Sequence, residues 1–256
     1  MNQELPQGDL EMLSTELLDD AACRELLAPL NDMENSIFGP DFTCNTAQVQ
    51  QWFDSGCLLY SAVTGEAVVG HRRILSALSV FITTAAARDR MLLGEITDIE
   101  MTPWTPGQPE QPTIYLSSVV SVAPHHLSAM YHSLLRDVVR FRDAHELTFH
   151  GGFAVATGAA GRRHMAKSGF RLLEGLKYRG TYDLMVIDAC TAATPFWTGL
   201  LRDDTAFLRR ADATQGVMAS TLPAEIQAVP QEGSAHDVER RLALAKAERL
   251  RGRVDF

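Results

Sequence analysis

Residues 114–124 read IYLSSVVSVAP, and this stretch decides the fold expected for the chain. Through 114–122 the side chains alternate between two faces, the period of two residues that is typical of a strand. The strand is expected to end at Pro124, because proline cannot donate a hydrogen bond to a sheet. From Leu127 onward the apolar residues recur every three or four positions, which predicts a helix ending near His145.

The sequence after this helix predicts a strand, a short helix and a hairpin. Residues 147–156 are apolar and predict the strand, and 161–168 predict the short helix. Gly169 is expected to end that helix, since glycine adopts the left-handed backbone conformation common after a helix C-terminus. Residues 170–176 and 181–187 then predict two strands of a closing hairpin.

Upstream of residue 114 the pattern predicts a strand over 10–14 and two helices. The first helix begins with acidic residues near Glu16, and Pro29 with the Asn-Asp pair after it indicates an end nearby. The second helix spans 46–53, with Thr46 as the candidate cap.

Between the second helix and residue 114 the sequence predicts further strands and a loop. Residues 57–63 and 67–74 predict an antiparallel pair, and 94–101 predict another strand. Four prolines within 102–113 predict a loop. Strands mixed with helices in this order indicate an α/β fold, with a mixed, mostly antiparallel central sheet flanked by helices.

The character of the chain changes near residue 190. Residues 1–190 are expected to form one domain, and 191–256 a C-terminal helical extension. Within the extension, 211–235 predict a linker and 237–251 a charged helix with a narrow apolar stripe. A stripe this narrow cannot build a core of its own. We therefore expect this helix to dock on its own chain or to pair with a second subunit in a homodimer.

The composition is that of an acidic globular protein, and it excludes several classes of function. The 256 residues carry a formal net charge of −9, which argues against a nucleic-acid partner. No apolar run approaches the roughly 18 residues of a membrane span, and the N-terminal residues lack the features of a secretion signal. The four cysteines form no C-x-x-C pair, so we expect no metal site and a cytoplasmic location.

Three segments together resemble the GNAT superfamily of acyltransferases, over roughly the first 190 residues. Residues 15–30, TELLDDAACRELLAPL, are similar to the first helix of that family. Residues 114–124 resemble its central strand with a valine-x-proline exit, and 164–173, HMAKSGFRLL, resemble its late helix ending in Gly-Phe. The order and spacing of the three segments carry the resemblance.

The resemblance implies an enzyme that transfers an acyl group from acetyl-CoA or another acyl-CoA to the amine of a small molecule or amino acid. It also implies that the central strand diverges from the 147–156 strand near Ser121 and pairs with the pantetheine arm. The pyrophosphate would then lie at the next helix N-terminus, where free N–H groups favour anions. The residues implied to bind the cofactor are Val122, Leu127, Ser128, Ala129, Met130, Tyr131, His132, Arg162 and Arg163.

The sequence departs from the family pattern at its phosphate-binding loop and at its general acid. The family's Q/R-x-x-G-x-G/A positions fall on Leu127, Met130 and His132, so the loop is degenerate. The position of the family's acidic tyrosine holds Met165, with His164 beside it. Arg162 and Arg163 follow a glycine-rich loop and could supply a substitute phosphate site, or they could be solvated residues of a flexible connection.

Two residues are the candidates for proton transfer. His164 is the candidate acid or base, because the pKa of histidine suits proton transfer near neutral pH. On the expected strand 94–101, the acidic residues Glu95, Asp98 and Glu100 lie beside the implied acceptor channel, and Glu100 is the candidate base.

Two alternatives remain at this stage. An acyl carrier protein would present a phosphopantetheine arm without a nucleotide, so the degenerate loop would matter less. A GNAT-like module that binds a ligand or partner without turnover would explain the loss of both loop glycines and the tyrosine.

Overall fold

The computed structural model of the chain describes residues 11–15, 20–39, 42, 45–65, 73–121 and 124–202. Its strands are β1 (Glu11–Ser14), β2 (Leu58–Gly65), β3 (Arg73–Thr84), β4 (Pro112–Ser121), β5 (Gly151–Ala156), β6 (Arg171–Tyr178) and β7 (Tyr182–Asp188). Its helices are α1 (Asp20–Phe38), α2 (Thr46–Asp54), α3 (Ala85–Leu92), α4 (Pro124–Ala144), α5 (Ala159–Ser168) and α6 (Pro195–Leu201). The predicted helix 237–251 and its linker lie outside the described residues.

The described strands form one seven-stranded sheet in the order β1-β2-β3-β4-β5-β7-β6. Neighbouring strands are antiparallel except β4 and β5, which are parallel. A parallel pair needs a crossover connection, and α4 supplies it. The predicted α/β class with a mixed, mostly antiparallel sheet is confirmed.

Helices cover both faces of the sheet. Successive residues of β3 point to opposite faces, as the pleat of a strand requires. Ser76 accordingly meets His126 of α4, whereas Ala77 faces the side of α1 and α2. On that second side, the Tyr60 hydroxyl donates to the Cys23 carbonyl of α1 over 2.9 Å. The core therefore lies in two layers, one on each side of β2 and β3.

The central strand β4 is irregular on both edges. On the β3 side the register shifts, so that Ser79 pairs with Ser118 and Val80 with Leu116. Ser117 is the extra residue, and a bulge of this kind bends the strand. On the β5 side, pairing runs only from Ile114 to Leu116. The predicted strand is confirmed, and its divergence from β5 begins after Leu116 instead of near Ser121.

Helix α1 is longer than predicted and continues through Pro29 to Phe38. A proline inside a helix removes one N–H and leaves the carbonyl four residues earlier, that of Glu25, without its helical partner. Both residues are exposed, so water can satisfy that carbonyl. The buried Leu30 and the partly buried Met33 keep the helix against the core beyond the proline.

The predicted strand over 94–101 is wrong. Ala85–Leu92 forms α3, capped by the Thr84 side chain, which accepts from the Ala87 N–H over 3.0 Å. Asp98–Glu100 then form a single 3₁₀ turn. The turn is stabilised by Glu100, whose carboxylate accepts from the N–H and hydroxyl of Thr97. This local hydrogen bonding competes with strand pairing.

Smaller differences concern element ends. Asn45, instead of Thr46, caps α2, and its side chain accepts from the Gln48 N–H over 2.9 Å. The strand predicted from residue 147 begins at Gly151. Part of the predicted strand 67–74 lies outside the described residues.

Helix α6 lies within the segment that the sequence assigned to the C-terminal extension, and it packs on the sheet. Trp197 is fully buried. A Cβ on Gly152 of β5 would lie 2.9 Å from the Trp197 ring, so the close contact depends on glycine. Among the described helices, none has both the length and the apolar character required to cross a bilayer.

Candidate functional site

A cleft of about 240 Å³ opens where β4 and β5 separate. One wall is the second half of β4, with Ser117, Val119 and Ser121. The opposite wall is the end of β5 with the loop and first turn of α5. Leu127 of α4 also lines the cleft. We call this space the β4–β5 cleft.

Along the cleft, the edge of β4 that faces β5 is unpaired among the described strands, whereas its other edge pairs with β3. Residues 117–121 lie beyond the last pair, Leu116 with Ala154, on the side of β5. Backbone N–H and C=O groups are obligatory hydrogen-bonding groups, and an unpaired strand edge is a template for an extended ligand. An amide-containing chain can therefore add to β4 inside the cleft.

The start of α4 lies at one end of the cleft. Leu127 reaches the lining, and the exposed Ser128 and partly buried Ala129 share the same first turns of the helix. Free N–H groups and the helix dipole favour an anion at such a start. Met130 and His132 are buried and are not part of the lining, so neither narrows the cleft. Val122 lies outside the described residues.

Ser121 belongs to a chain of hydroxyl groups that reaches an imidazole. Its Oγ lies 2.9 Å from Ser76 Oγ, which lies 2.9 Å from His126 Nδ1. This chain joins β4, β3 and the start of α4 beside the cleft. It holds the strand and the helix start in a fixed relation.

The structure brings together two residues that the sequence placed in separate roles. His164 lines the cleft beside Met165, and its Nε2 lies 2.8 Å from the Tyr131 hydroxyl. Burial, and secondarily Lys167, lower the pKa of His164, so its ring is neutral at pH 7. Burial raises the pKa of Tyr131 well above its ordinary value. Tyr131 is therefore the donor of this hydrogen bond and His164 Nε2 the acceptor.

The two predicted phosphate-binding arginines lie next to the cleft but outside its lining. Arg162 Nε is 2.9 Å from an Asp183 carboxylate oxygen, and Lys177 pairs with the same carboxylate. Arg163 is exposed on α5. The cleft wall itself is formed by small residues of this loop, among them Ala160 and Gly161.

A second cavity, of about 60 Å³, lies between α1, α2 and strands β2, β3 and β4. We call it the inner pocket. Phe42, Asp98, Tyr115 and Ser117 line both this pocket and the β4–β5 cleft, so the two spaces adjoin. The shared residues include the bulged Ser117, which turns the strand at their boundary.

Glu34 of α1 lines the inner pocket and has an unusual proton affinity. Burial of its carboxyl group raises the pKa from 4.5 to about 7. The Ser118 hydroxyl opposes this shift by stabilising the charged form, and the nearby Asp98 adds to it by repulsion. A carboxyl group of this kind exchanges a proton near neutral pH.

Glu34 was missed because α1 was expected to end near Asn31 and Asp32. A signal was present in the sequence, since Leu27, Leu30 and Glu34 share one helical face at spacings of three and four. An acidic residue on an apolar stripe indicates a buried carboxyl group.

Asp98 lies at the boundary of the two spaces, held from the β6–β7 hairpin. The Tyr178 hydroxyl donates to its carboxylate over 2.5 Å, and Arg179 Nη2 lies 3.8 Å away. Burial raises the pKa of Asp98, while Tyr178 and Arg179 oppose that rise. The sequence analysis named Asp98 among the acidic residues of this segment but took Glu100 as the candidate base.

Glu100 lies in neither cavity lining. Its exposed carboxylate accepts hydrogen bonds from Thr97, which lower its pKa. Glu95 is exposed as well, 3.6 Å from Arg90. Within the residues that the structure describes, no three His, Cys, Asp or Glu side chains are grouped to hold a metal ion.

No protein-family model and no curated protein matches the sequence. Among solved structures, Arabidopsis thaliana NAA60 in complex with acetyl-CoA shares 13% identity, with 70% of this chain and 97% of that chain covered and a TM-score of 0.43. AtaT complexed with acetyl-methionyl-tRNAfMet shares 12% identity, with 71% and 96% covered and a TM-score of 0.36.

A putative acetyltransferase of the GNAT family from Desulfovibrio desulfuricans shares 16% identity, with 70% and 99% covered and a TM-score of 0.36. Nothing about the substrates of these proteins transfers to this chain. In the described topology, β4 separates from β5 and opens a cleft at the start of α4, and this divergence of the central strand is what the resemblance implied. The described residues form the mixed, mostly antiparallel α/β sheet flanked by helices that the sequence predicted.

Proposed function

We propose that the protein is an acyltransferase that moves an acyl group from an acyl-CoA thioester to the amine of a small molecule. The observation that carries this proposal is the junction of the two spaces at Tyr115 and Ser117. A cleft with an unpaired strand edge meets a pocket whose carboxyl group titrates near neutral pH. An acyl thioester in the first space and an amine in the second would meet at that junction.

The donor would lie in the β4–β5 cleft. Its pantetheine amides would pair with the backbone of residues 117–121, as an added strand does. Its pyrophosphate would lie at the N–H groups around Leu127, Ser128 and Ala129. Arg162 and Arg163 would hold the nucleotide phosphates from the start of α5.

Glu34 takes the role of general base in this proposal, in place of Glu100. An amine enters as an ammonium ion and first gives one proton to the Glu34 carboxylate. Its nitrogen lone pair then attacks the thioester carbonyl carbon, a C–N bond forms, and the C–S bond breaks. The ammonium nitrogen loses two protons in all: one ends on the departing thiolate and one reaches solvent.

The hydrogen-bonded pair of Tyr131 and His164 is suited to the departing thiolate. Tyr131 remains protonated at neutral pH and donates to Nε2 of His164, which leaves Nδ1–H as the donor of the neutral ring. His164 can stabilise the departing thiolate by donating a hydrogen bond from Nδ1–H, while Tyr131 holds the ring across the 2.8 Å contact. The thiolate takes its proton from the amine nitrogen. In this proposal His164 acts as a hydrogen-bond donor to the thiolate, in place of the acid that the sequence suggested, and Tyr131 positions its ring.

The test combines binding with turnover. Acetyl-CoA, a long-chain acyl-CoA and an acyl carrier protein are added in turn, and the melting temperature is measured. A donor at about a hundred times its dissociation constant should stabilise the fold by about 2.7 kcal/mol. If only the acyl carrier protein raises the melting temperature, the donor is the carrier protein and not an acyl-CoA. If none of the three thioesters raises it, the proposal is overturned.

Turnover then separates the two candidate bases. Glu34→Gln should reduce kcat by about a hundredfold or more, the usual contribution of a general base. Glu25→Gln, a change at an exposed residue of the same helix, is the matched control. If Glu100→Gln loses activity and Glu34→Gln retains it, the general base is Glu100 and not Glu34.

A further inference from the structure

We propose that the inner pocket is the acceptor site and that it selects a small amine with an apolar body and no carboxylate group. This inference rests on the proposed acyl transfer for the identity of the product, and on the pocket itself for the choice of ligand. It narrows the acceptor from any small amine or amino acid to one chemical class.

Two buried polar groups of the pocket have no partner among the described residues. They are the side-chain oxygen of Asn31 and the indole N–H of Trp52. Both residues line the pocket and are nearly fully buried, at 5% and 4% exposure. A buried donor or acceptor left unpaired is destabilising, and a ligand can remove that cost. The ligand that fits would donate to Asn31 and accept from Trp52.

The charges of the pocket favour a cation over an anion. Glu34 and Asp98 are the charged residues of its described lining, which contains no Lys, Arg or His. Asp98 already interacts with Tyr178 and Arg179, so Glu34 is the carboxyl group left for an ammonium ion. An amino acid would bring its own carboxylate beside two acidic groups in a poorly solvated space, which is unfavourable.

The rest of the lining is apolar and aromatic. Leucine side chains of α1 and β2 form one part, and the rings of Trp52, Tyr60 and Tyr115 form another. Aromatic faces attract cations as well as alkyl groups. Trp52 is fixed in place by stacking on Phe81, with ring centroids 4.4 Å apart. A volume of about 60 Å³ holds only part of such an amine, so the rest of the molecule would lie toward the adjoining cleft, and a large alkyl group would not fit.

Three related amines test the inference. Isobutylamine, valinol and valine share one branched alkyl skeleton, and they differ by a hydrogen, a hydroxymethyl group or a carboxylate beside the amine. We expect isobutylamine and valinol to bind, valinol the more tightly because its hydroxyl can accept from Trp52. Valine should bind at least about a hundredfold more weakly than valinol, because its carboxylate meets Glu34 and Asp98. Calorimetry on the full chain without donor measures binding apart from chemistry.

Two tryptophan variants test the contact itself. Trp52→Phe keeps a ring on Phe81 but removes the indole N–H, so it should abolish the preference for valinol over isobutylamine. Trp197→Phe is the matched control, because the Trp197 N–H is also buried without a partner among the described residues but lies outside the described pocket lining. The control should keep the preference.

The outcomes separate this inference from the proposed function. If valinol binds but no acyl transfer is detected, the proposed enzymatic function is overturned and the assignment of the pocket as an amine site stands. Two other results are acyl transfer that is as fast to valine as to valinol, and acyl transfer that is faster to the N-terminus of a peptide than to either. Each of these results would support the acyltransferase function and overturn the proposed class of acceptor. Failure of all three amines to bind would overturn the assignment of the pocket.

Discussion

Replacing Glu34 by glutamine should make the protein more stable at high pH, beyond whatever constant difference the amide itself introduces at low pH. The folded protein holds this proton more tightly than the unfolded chain, with a pKa of about 7 against 4.5. Between those values the folded state binds more protons, so the stability of the native protein falls as pH rises. The loss begins near pH 4.5 and is complete above about 7.

The magnitude follows from the same two values. One pKa unit is about 1.4 kcal/mol, so a rise from 4.5 to about 7 costs about 3 kcal/mol once the carboxyl group is ionised. The Glu34 side chain is partly accessible, which makes this figure the upper end. Glutamine keeps the shape and stays neutral, so the variant avoids the cost.

Urea denaturation of both proteins across the pH range is the assay. Near pH 4.5 the two free energies of unfolding should agree, apart from a constant offset for the amide. At about pH 8 the variant should exceed the native protein by about 1 to 3 kcal/mol more than that offset. Glu25→Gln should show no such pH dependence, because Glu25 is exposed. A Glu34→Gln difference that is constant with pH would refute the buried carboxyl group and, with it, the proposed base.

Two further predictions concern the cofactor and the fold. The double variant Arg162→Ala with Arg163→Ala should weaken CoA binding by about 1 to 3 kcal/mol, measured by calorimetry, if the guanidinium groups meet phosphate. An unchanged affinity would assign both arginines to solvent. Gly169→Ala should destabilise the protein by about 2 kcal/mol or more in thermal unfolding, because the residue has φ +100 and its Cβ would lie 1.9 Å from the Thr191 carbonyl oxygen. Gly158→Ala, whose Cβ would have no atom within 4 Å, should be nearly neutral, and an equal loss in both would contradict this reasoning.

The sequence by itself determined the elements whose signals are local. The alternation through 114–121 and the apolar stripe from Leu127 predicted β4 and α4, and Gly169 marked the end of α5. Such periodic patterns reflect which face of a single element is buried, so they can be read without knowing its neighbours. The strand predicted over 94–101 was wrong, because hydrogen bonds between Thr97 and Glu100 stabilise a turn within a sequence whose pattern resembles that of a strand.

The tertiary structure alone decided how the candidate site is assembled. Asp98 meets Tyr178 across 80 positions of sequence, and Tyr131 meets His164 across 33. No pattern within either segment specifies such a pair, because the contact depends on how β4 separates from β5 and how the hairpin returns. The proton affinity of Glu34 likewise arises from the strands and helices that enclose it, since burial is a property of the packed chain and not of the residue.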